Sequence, residues 1–192
     1  MRRVILAGLC AALLAIPLSA AHAQRGAQRK GLWLGAGAGL GSGKLSCSVC
    51  RTDRSSGTSG YLRAGFTLNK SVLLGLEADA WYRSQDQVDQ MLTSVNAVGL
   101  LYPKPASGFY LKGGLGVSWF SAKDTRDKVS NQALSFQVGA GWEFLVGHSF
   151  SIVPYLNVLG STGGSIRFNN TVSSTLSANT SLLQAGIGLT LH

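Results

Sequence analysis

The sequence predicts an all-β chain, an eight-stranded antiparallel up-and-down transmembrane β-barrel, on three observations. Residues 134–144 set Leu134, Phe136, Val138, Ala140, Trp142 and Phe144 on one parity and Ser135, Gln137, Gly139, Gly141 and Glu143 on the other, the pattern of a strand with one oily face and one small or polar face. The same pattern recurs along the chain behind an export signal. The connections between the segments alternate between long and short. A water-soluble sandwich would cover such oily faces with a second sheet, whereas a barrel turns them to lipid and closes every sheet edge.

The export signal comprises Arg2 and Arg3, an apolar run from Val4 to Leu18, and Ala21-His22-Ala23 before Gln24. This is the order of a cleaved secretory signal, and the run is too short for a spanning helix. Residues 1–23 are set apart as a signal peptide and 24–192 as one barrel domain. Cys10 follows Leu9 rather than a small residue, which argues against a lipid-modified cysteine. The 25 glycines, four prolines and 13% charged residues suit a strand-rich, partly lipid-facing body. Loss of Arg2 and Arg3 takes the net charge from +9 to +7. The positive residues are scattered singly and form no recognition helix, which argues against nucleic acid as a partner. The basic balance suits attraction to anionic lipopolysaccharide better than nucleic acid, and the plain solubility of loops and tail better than either.

Eight segments follow: 32–41, 58–69, 72–83, 91–103, 108–120, 132–145, 149–160 and 180–192. Their lengths meet the roughly 9–11 residues that a tilted strand needs to cross a bilayer. In the second, Leu62, Ala64, Phe66 and Leu68 point out, and Tyr61, Arg63, Gly65 and Thr67 point in. In the third, Leu74, Leu76, Ala78, Ala80 and Tyr82 face out against Glu77, Asp79 and Arg83. The fourth has no cleanly apolar face, since Asn96 and Val98 share a parity. In the fifth, Phe109, Leu111, Leu115, Val117 and Trp119 face lipid, with Tyr110, Lys112, Gly114, Gly116 and Ser118 inside. Connections 42–57, 84–90, 121–131 and 161–179 are long. Those at Asn69-Lys70-Ser71, Lys104-Pro105-Ala106-Ser107 and Val146-Gly147-His148 are short. Short periplasmic turns and long external loops put both termini on the periplasmic side.

The ionisable strand residues gather inside: Arg63, Arg83 and Lys112 against Glu77, Asp79 and Glu143. With Leu68 opposite Val72 at the first short turn, Arg63 faces Glu77 and Tyr61 faces Asp79. Lys112, Glu143 and Arg83 are expected to complete one balanced network, because a buried charge without a partner is strongly unfavourable.

The last strand carries Gln184, Gly186, Leu189 and Leu191, in the spacing polar, any, Gly, two any, apolar, any, apolar. This resembles the C-terminal signal by which the barrel-assembly machinery takes up outer-membrane proteins, with His192 in the place of the usual terminal aromatic. Together with the signal peptide and the eight segments, it makes the mature chain similar to the small bacterial outer-membrane barrels of the OmpA-like and OmpX-like kind. The resemblance implies fold and location, and its members differ in activity.

Cys47 and Cys50 are the cysteines left after processing, in the first external loop. Zinc would require further ligands there and redox chemistry a βαβ context, so a local disulfide formed in an oxidising compartment is expected. The glycine run 35–44 invites a phosphate-loop reading. It fails, because Ala38 occupies the place of the motif's first glycine and Leu45 follows Lys44. The glycines of odd number read as small lumen residues that leave room for Trp33 and for long side chains from other strands.

Outer-membrane lipid-modifying enzymes are one alternative function class, and such sites commonly need a histidine base. The mature chain has His148 and His192, both expected at the periplasmic end. Asp86, Asp89, Asp124 and Asp127 are interleaved with Lys123, Arg126 and Lys128 as solvated loop charges. A channel is the other alternative, and eight strands enclose only enough space for side chains to fill. A soluble periplasmic barrel would expose too large an oily surface. The expectation is therefore a non-enzymatic barrel without cofactor or metal. It would stabilise the envelope, contact outer-membrane lipid and lipopolysaccharide, or meet an external partner through loops 3 and 4, where Ile166 and Phe168 are apolar candidates; a narrow or gated path stands as the alternative.

Overall fold

The computed structural model describes residues 29–47, 54–85, 88–123, 128–146, 149–168 and 171–192. The signal region, Cys50, His148, Asp86, Asp124 and Asp127 lie outside the described residues. The strands are β1 (Leu32–Cys47), β2 (Ser55–Asn69), β3 (Val72–Gln85), β4 (Val88–Leu101), β5 (Phe109–Lys123), β6 (Lys128–Trp142), β7 (Phe144–Leu145), β8 (Phe150–Phe168) and β9 (Thr171–Leu191). Each pairs antiparallel with its neighbours, β1 with both β2 and β9, and the β6–β8 pairing closes the ring. β7 continues β6 in one register on β8, from Gly141↔Tyr155 to Phe144↔Ile152. The closed barrel therefore has eight strands, the sixth interrupted only at Glu143.

The β2–β3 register places Arg63 opposite Glu77 and Tyr61 opposite Asp79. At the turn itself the pairing slips, so that Asn69 rather than Leu68 faces Val72. The reason is local: Asn69 Oδ1 accepts from the backbone N–H of Ser71 at 2.8 Å and of Val72 at 3.0 Å, so the side chain builds the turn.

The external connections differ from expectation. Strands continue outward where loops were expected, most of all in 161–179, where the ladder runs through Ser161↔Thr180, Ser165↔Ser177 and Phe168↔Thr171 with two register shifts. The Ser-, Thr- and Gly-rich composition suggests a loop. Once a hairpin is closed, however, backbone hydrogen bonds extend it whatever the polarity outside lipid, and Thr favours the strand conformation.

The outer face is oily throughout the expected parity, with Leu62, Leu76, Leu115, Leu134 and Ile187 all more than 60% exposed. Leu76, Ala97, Leu115 and Phe136 form one paired row. Aromatic residues mark its borders. At the end that carries the termini, Phe109, Trp142 and Phe144 form a ladder with ring centroids 5.9 and 6.2 Å apart. Toward the other end lie Tyr82 and Trp119. Phe109 to Trp119 is about ten residues, roughly 33 Å of strand, and at a tilt near 40° this covers about 25 Å, the height of an apolar band facing lipid.

Candidate functional site

The interior is filled by three tiers, a charged one between two apolar ones, and a separate buried Arg29–Glu143 pair caps the terminal end. Toward the termini Trp33, Leu73, Val98, Leu100, Tyr102, Tyr110 and Val153 form a buried apolar cluster. Toward the external end Trp81, Leu92, Phe120, Leu159 and Leu182 form a second. β4 accordingly has apolar residues on both faces, because Leu92, Val98 and Leu100 fill the lumen while Met91, Val95 and Leu101 face out.

Between these clusters lie Arg63, Glu77, Asp79 and Lys112, each at most 4% exposed. Lys112 Nζ donates to Glu77 Oε1. Arg63 stands 4.0 Å from Glu77 Oε2 and gives its hydrogen bonds to Tyr110 Oη at 3.2 Å and Thr190 Oγ1 at 3.1 Å. Ser94 donates to Asp79 Oδ2 at 3.2 Å, and the Gln137 amide, oriented to donate, reaches both Glu77 and Asp79 at 3.3 Å. Two cations thus meet two carboxylates. Tyr61 and Tyr155 pack edge to face beside them at 4.9 Å, and the Arg63 guanidinium lies 5.0 Å from the Tyr61 ring. The glycines of β1 make this possible. A Cβ on Gly35 would stand 2.7 Å from Arg63 Nε, and one on Gly37 would collide with the Tyr61 ring.

Two members of the expected network lie elsewhere. Arg83 is partly exposed near the external end and donates to Gln85 Oε1. Parity gave it the correct face, but it sits about 13 Å farther along the strand than Asp79, beyond the apolar tier of Trp81. Glu143 does not meet Lys112. It lies at the terminal end, where Arg29 Nη2 and Nε donate to Oε2 at 2.8 and 3.1 Å and Tyr102 Oη donates to Oε1 at 2.6 Å; His192 Nε2 lies 3.3 Å from the same Oε1. The Arg29 guanidinium covers the Tyr102 ring at 3.7 Å and donates to Pro105 O at 2.9 Å. Gly108, at φ +75°, fixes this corner: its carbonyl accepts from Glu143 N at 3.0 Å, and a Cβ there would strike Glu143 O.

Sequence reasoning missed Arg29, which lies outside the strand pattern, took Tyr102 as part of the fourth segment although the strand ends at Leu101, and gave His192 no partner. On β9, Gln184 is buried in the lumen, Leu189 and Leu191 face outward, and all pair with β1. Cys47 ends β1 opposite Ala178, and its expected partner Cys50 is outside the described residues. Among the described residues no cluster of three or more His, Cys, Asp or Glu is arranged to hold a metal.

Comparison with known proteins decides the family. Residues 11–190 match the model of the outer membrane protein beta-barrel domain. The chain belongs to this family. Its location is accordingly the bacterial outer membrane, and the oily parity of this outer-membrane barrel is its lipid face. Among solved structures, Neisserial surface protein A is similar with a TM-score of 0.63 at 16% identity, over 83% of this chain and 96% of that one. Ail, the attachment invasion locus protein of Yersinia pestis, is similar with a TM-score of 0.51 at 16% identity, over 83% and 99%. At these identities the likeness is one of fold. Among curated proteins none matches the chain.

Proposed function

We propose that this outer-membrane barrel is a plugged, non-enzymatic protein whose work is done at its surfaces: it stabilises the envelope through contacts with lipid and lipopolysaccharide and presents its external end to a ligand or partner. One observation carries the reading. The lumen is occupied along its length by an apolar tier, a charge-balanced tier and a second apolar tier. Eight strands leave no further room for a water-filled pore. The described histidine, His192, is engaged with Glu143 at the terminal end, away from the external leaflet. During biogenesis the Gln184, Gly186, Leu189 and Leu191 pattern would be read by the barrel-assembly machinery.

The charged tier supports a second reading, a narrow or gated path, since Glu77 Oε2, Asp79 Oδ1, Tyr61 Oη and Tyr155 Oη are buried with no hydrogen-bond partner in the protein. One experiment addresses both. Purified barrel reconstituted into planar bilayers should give no conductance steps over a wide voltage range. Regular steps from the unmodified protein would replace the plugged reading with the channel.

A further inference from the structure

The external end of the lumen holds a cavity of about 540 Å³. Its floor is the paired row Trp81, Leu92 and Phe120, and its upper wall includes Ala122 and Val129. Barrel interiors that face water are ordinarily polar. Here the floor is apolar, and above it Ala122 and Val129 share the wall with polar residues such as Gln90, Ser55 and Thr180. The floor is also rigid, because Trp81 Nε1 donates to Gly41 O at 3.0 Å and the indole packs over Gly43, where a Cβ would stand 3.1 Å from the ring.

The rim carries two guanidiniums. Arg83, in one row with Gln90 and Ala122, donates to the neutral Gln85 Oε1. Arg54 donates to Ser42 O at 3.0 Å and Ser181 Oγ at 3.3 Å, again neutral acceptors. The nearby carboxylate of Asp89 accepts from Tyr82 on the outer face, at 3.0 Å. Among the described residues, positive charge therefore stands above an oily cup whose volume falls in the range of about 300–1,000 Å³ typical of small-molecule sites. A small inorganic anion would pair with the rim and leave the cup wet. A neutral hydrocarbon would fill the cup and leave the rim unanswered.

We infer that this cup binds a single-chain amphiphile with an anionic head of the fatty-acid type, its chain on Trp81, Leu92 and Phe120 and its carboxylate at Arg83 and Arg54. The inference rests on the plugged reading, because the outer tier of the plug is the floor of the site.

The test uses ¹⁵N-labelled barrel in zwitterionic phospholipid nanodiscs, with the Trp81 indole N–H signal identified by Trp81→Phe, and decanoate as the probe. Decanoate should shift that signal saturably. Ala122→Trp, which fills the cup, should abolish the shift. Arg83→Gln with Arg54→Gln, both at exposed or half-exposed positions, should weaken decanoate binding by about tenfold and leave decanol unchanged. The idea is overturned if no saturable shift occurs, if acetate or phosphate shifts Trp81 equally, or if decanol binds as tightly as decanoate. It is also overturned if nanodiscs containing phosphatidylglycerol shift Trp81 fully without decanoate, which would make a lipid headgroup the occupant. Conductance recorded on the same protein separates the two readings: a silent barrel that ignores decanoate refutes this site and leaves the plug standing, whereas a conducting one refutes the plug.

Discussion

Arg29 Nη2 lies 2.8 Å from Glu143 Oε2 across 114 residues of sequence, and His192 Nε2 lies 3.3 Å from the other oxygen of the same carboxylate. Glu143 sits at the break in the sixth barrel strand, so one buried acid holds the segment before β1 and the residue after β9. These flank the β1–β9 seam, where the first and last strands pair. Both side chains of the Arg29–Glu143 pair are nearly inaccessible. Removing one charge leaves the other buried.

Glu143→Gln is therefore expected to destabilise the folded barrel by about 3 kcal/mol, in the lower part of the range for breaking a buried ion pair, since Arg29 keeps the Pro105 carbonyl and the face of the Tyr102 ring. Arg29→Gln should cost less, because Tyr102 and His192 remain on the carboxylate. The double variant should show coupling between the two. Urea unfolding in lipid vesicles measures all three. Strictly additive losses would mean that the pair is not a latch.

The lipid face makes a second prediction. Leu76 and Phe136 stand in the same outer row, near the middle of the span between the two aromatic borders. Leu76→Arg or Phe136→Arg should each cost roughly 2–4 kcal/mol in bilayer-refolded protein. Unchanged stability in both, or failure of a lipid-soluble spin quencher to reach probes at these positions, would mean that this face is not in hydrocarbon.

A third prediction concerns Cys47 and Cys50, which are expected to be oxidised together in exported protein and dispensable for assembly. Intact-mass measurement of the alkylated chain decides the first point. Two free thiols would exclude the bridge, and a barrel that failed to form with Cys47→Ser and Cys50→Ser would show that it is more than local.

Strand parity was legible because a barrel wall separates lipid from lumen at every residue, so Leu76 and Glu77 must take opposite sides. Depth was not. Arg83 shares the parity of Glu77 and Asp79, yet a tier of Trp81, Leu92 and Phe120 separates it from them. That tier is itself written in the inward parity of the third strand, where Trp81 stands between Asp79 and Arg83. Oily residues on the lumen side of β4 obscured its facing, because periodicity assumes one polar face. Arg29 could not be found by pattern at all: it lies outside any strand, and only the closed ring brings it to Glu143.

The final prediction separates the two cations around Glu77. Arg63 is its direct cross-strand neighbour, but the guanidinium is drawn toward Tyr110 and Thr190, and 4.0 Å remains to the carboxylate. Lys112 comes from β5 and donates to Glu77 directly. Coulomb attraction weakens with distance, and the hydrogen-bonded charge carries the larger share. A double-mutant cycle on Lys112→Met and Glu77→Gln should therefore give a larger coupling energy than one on Arg63→Gln and Glu77→Gln, and each second substitution should restore part of what Glu77→Gln alone loses. Glu77→Gln leaves Arg63 and Lys112 with Asp79 as the remaining carboxylate of the tier, so it should loosen the plug, read as lowered unfolding stability or as leak in bilayer recordings. If the Arg63 cycle gave the stronger coupling, register rather than hydrogen bonding would govern the tier. If neither cycle coupled and no leak appeared, these charges would not hold the plug, and its integrity would rest on the two apolar tiers.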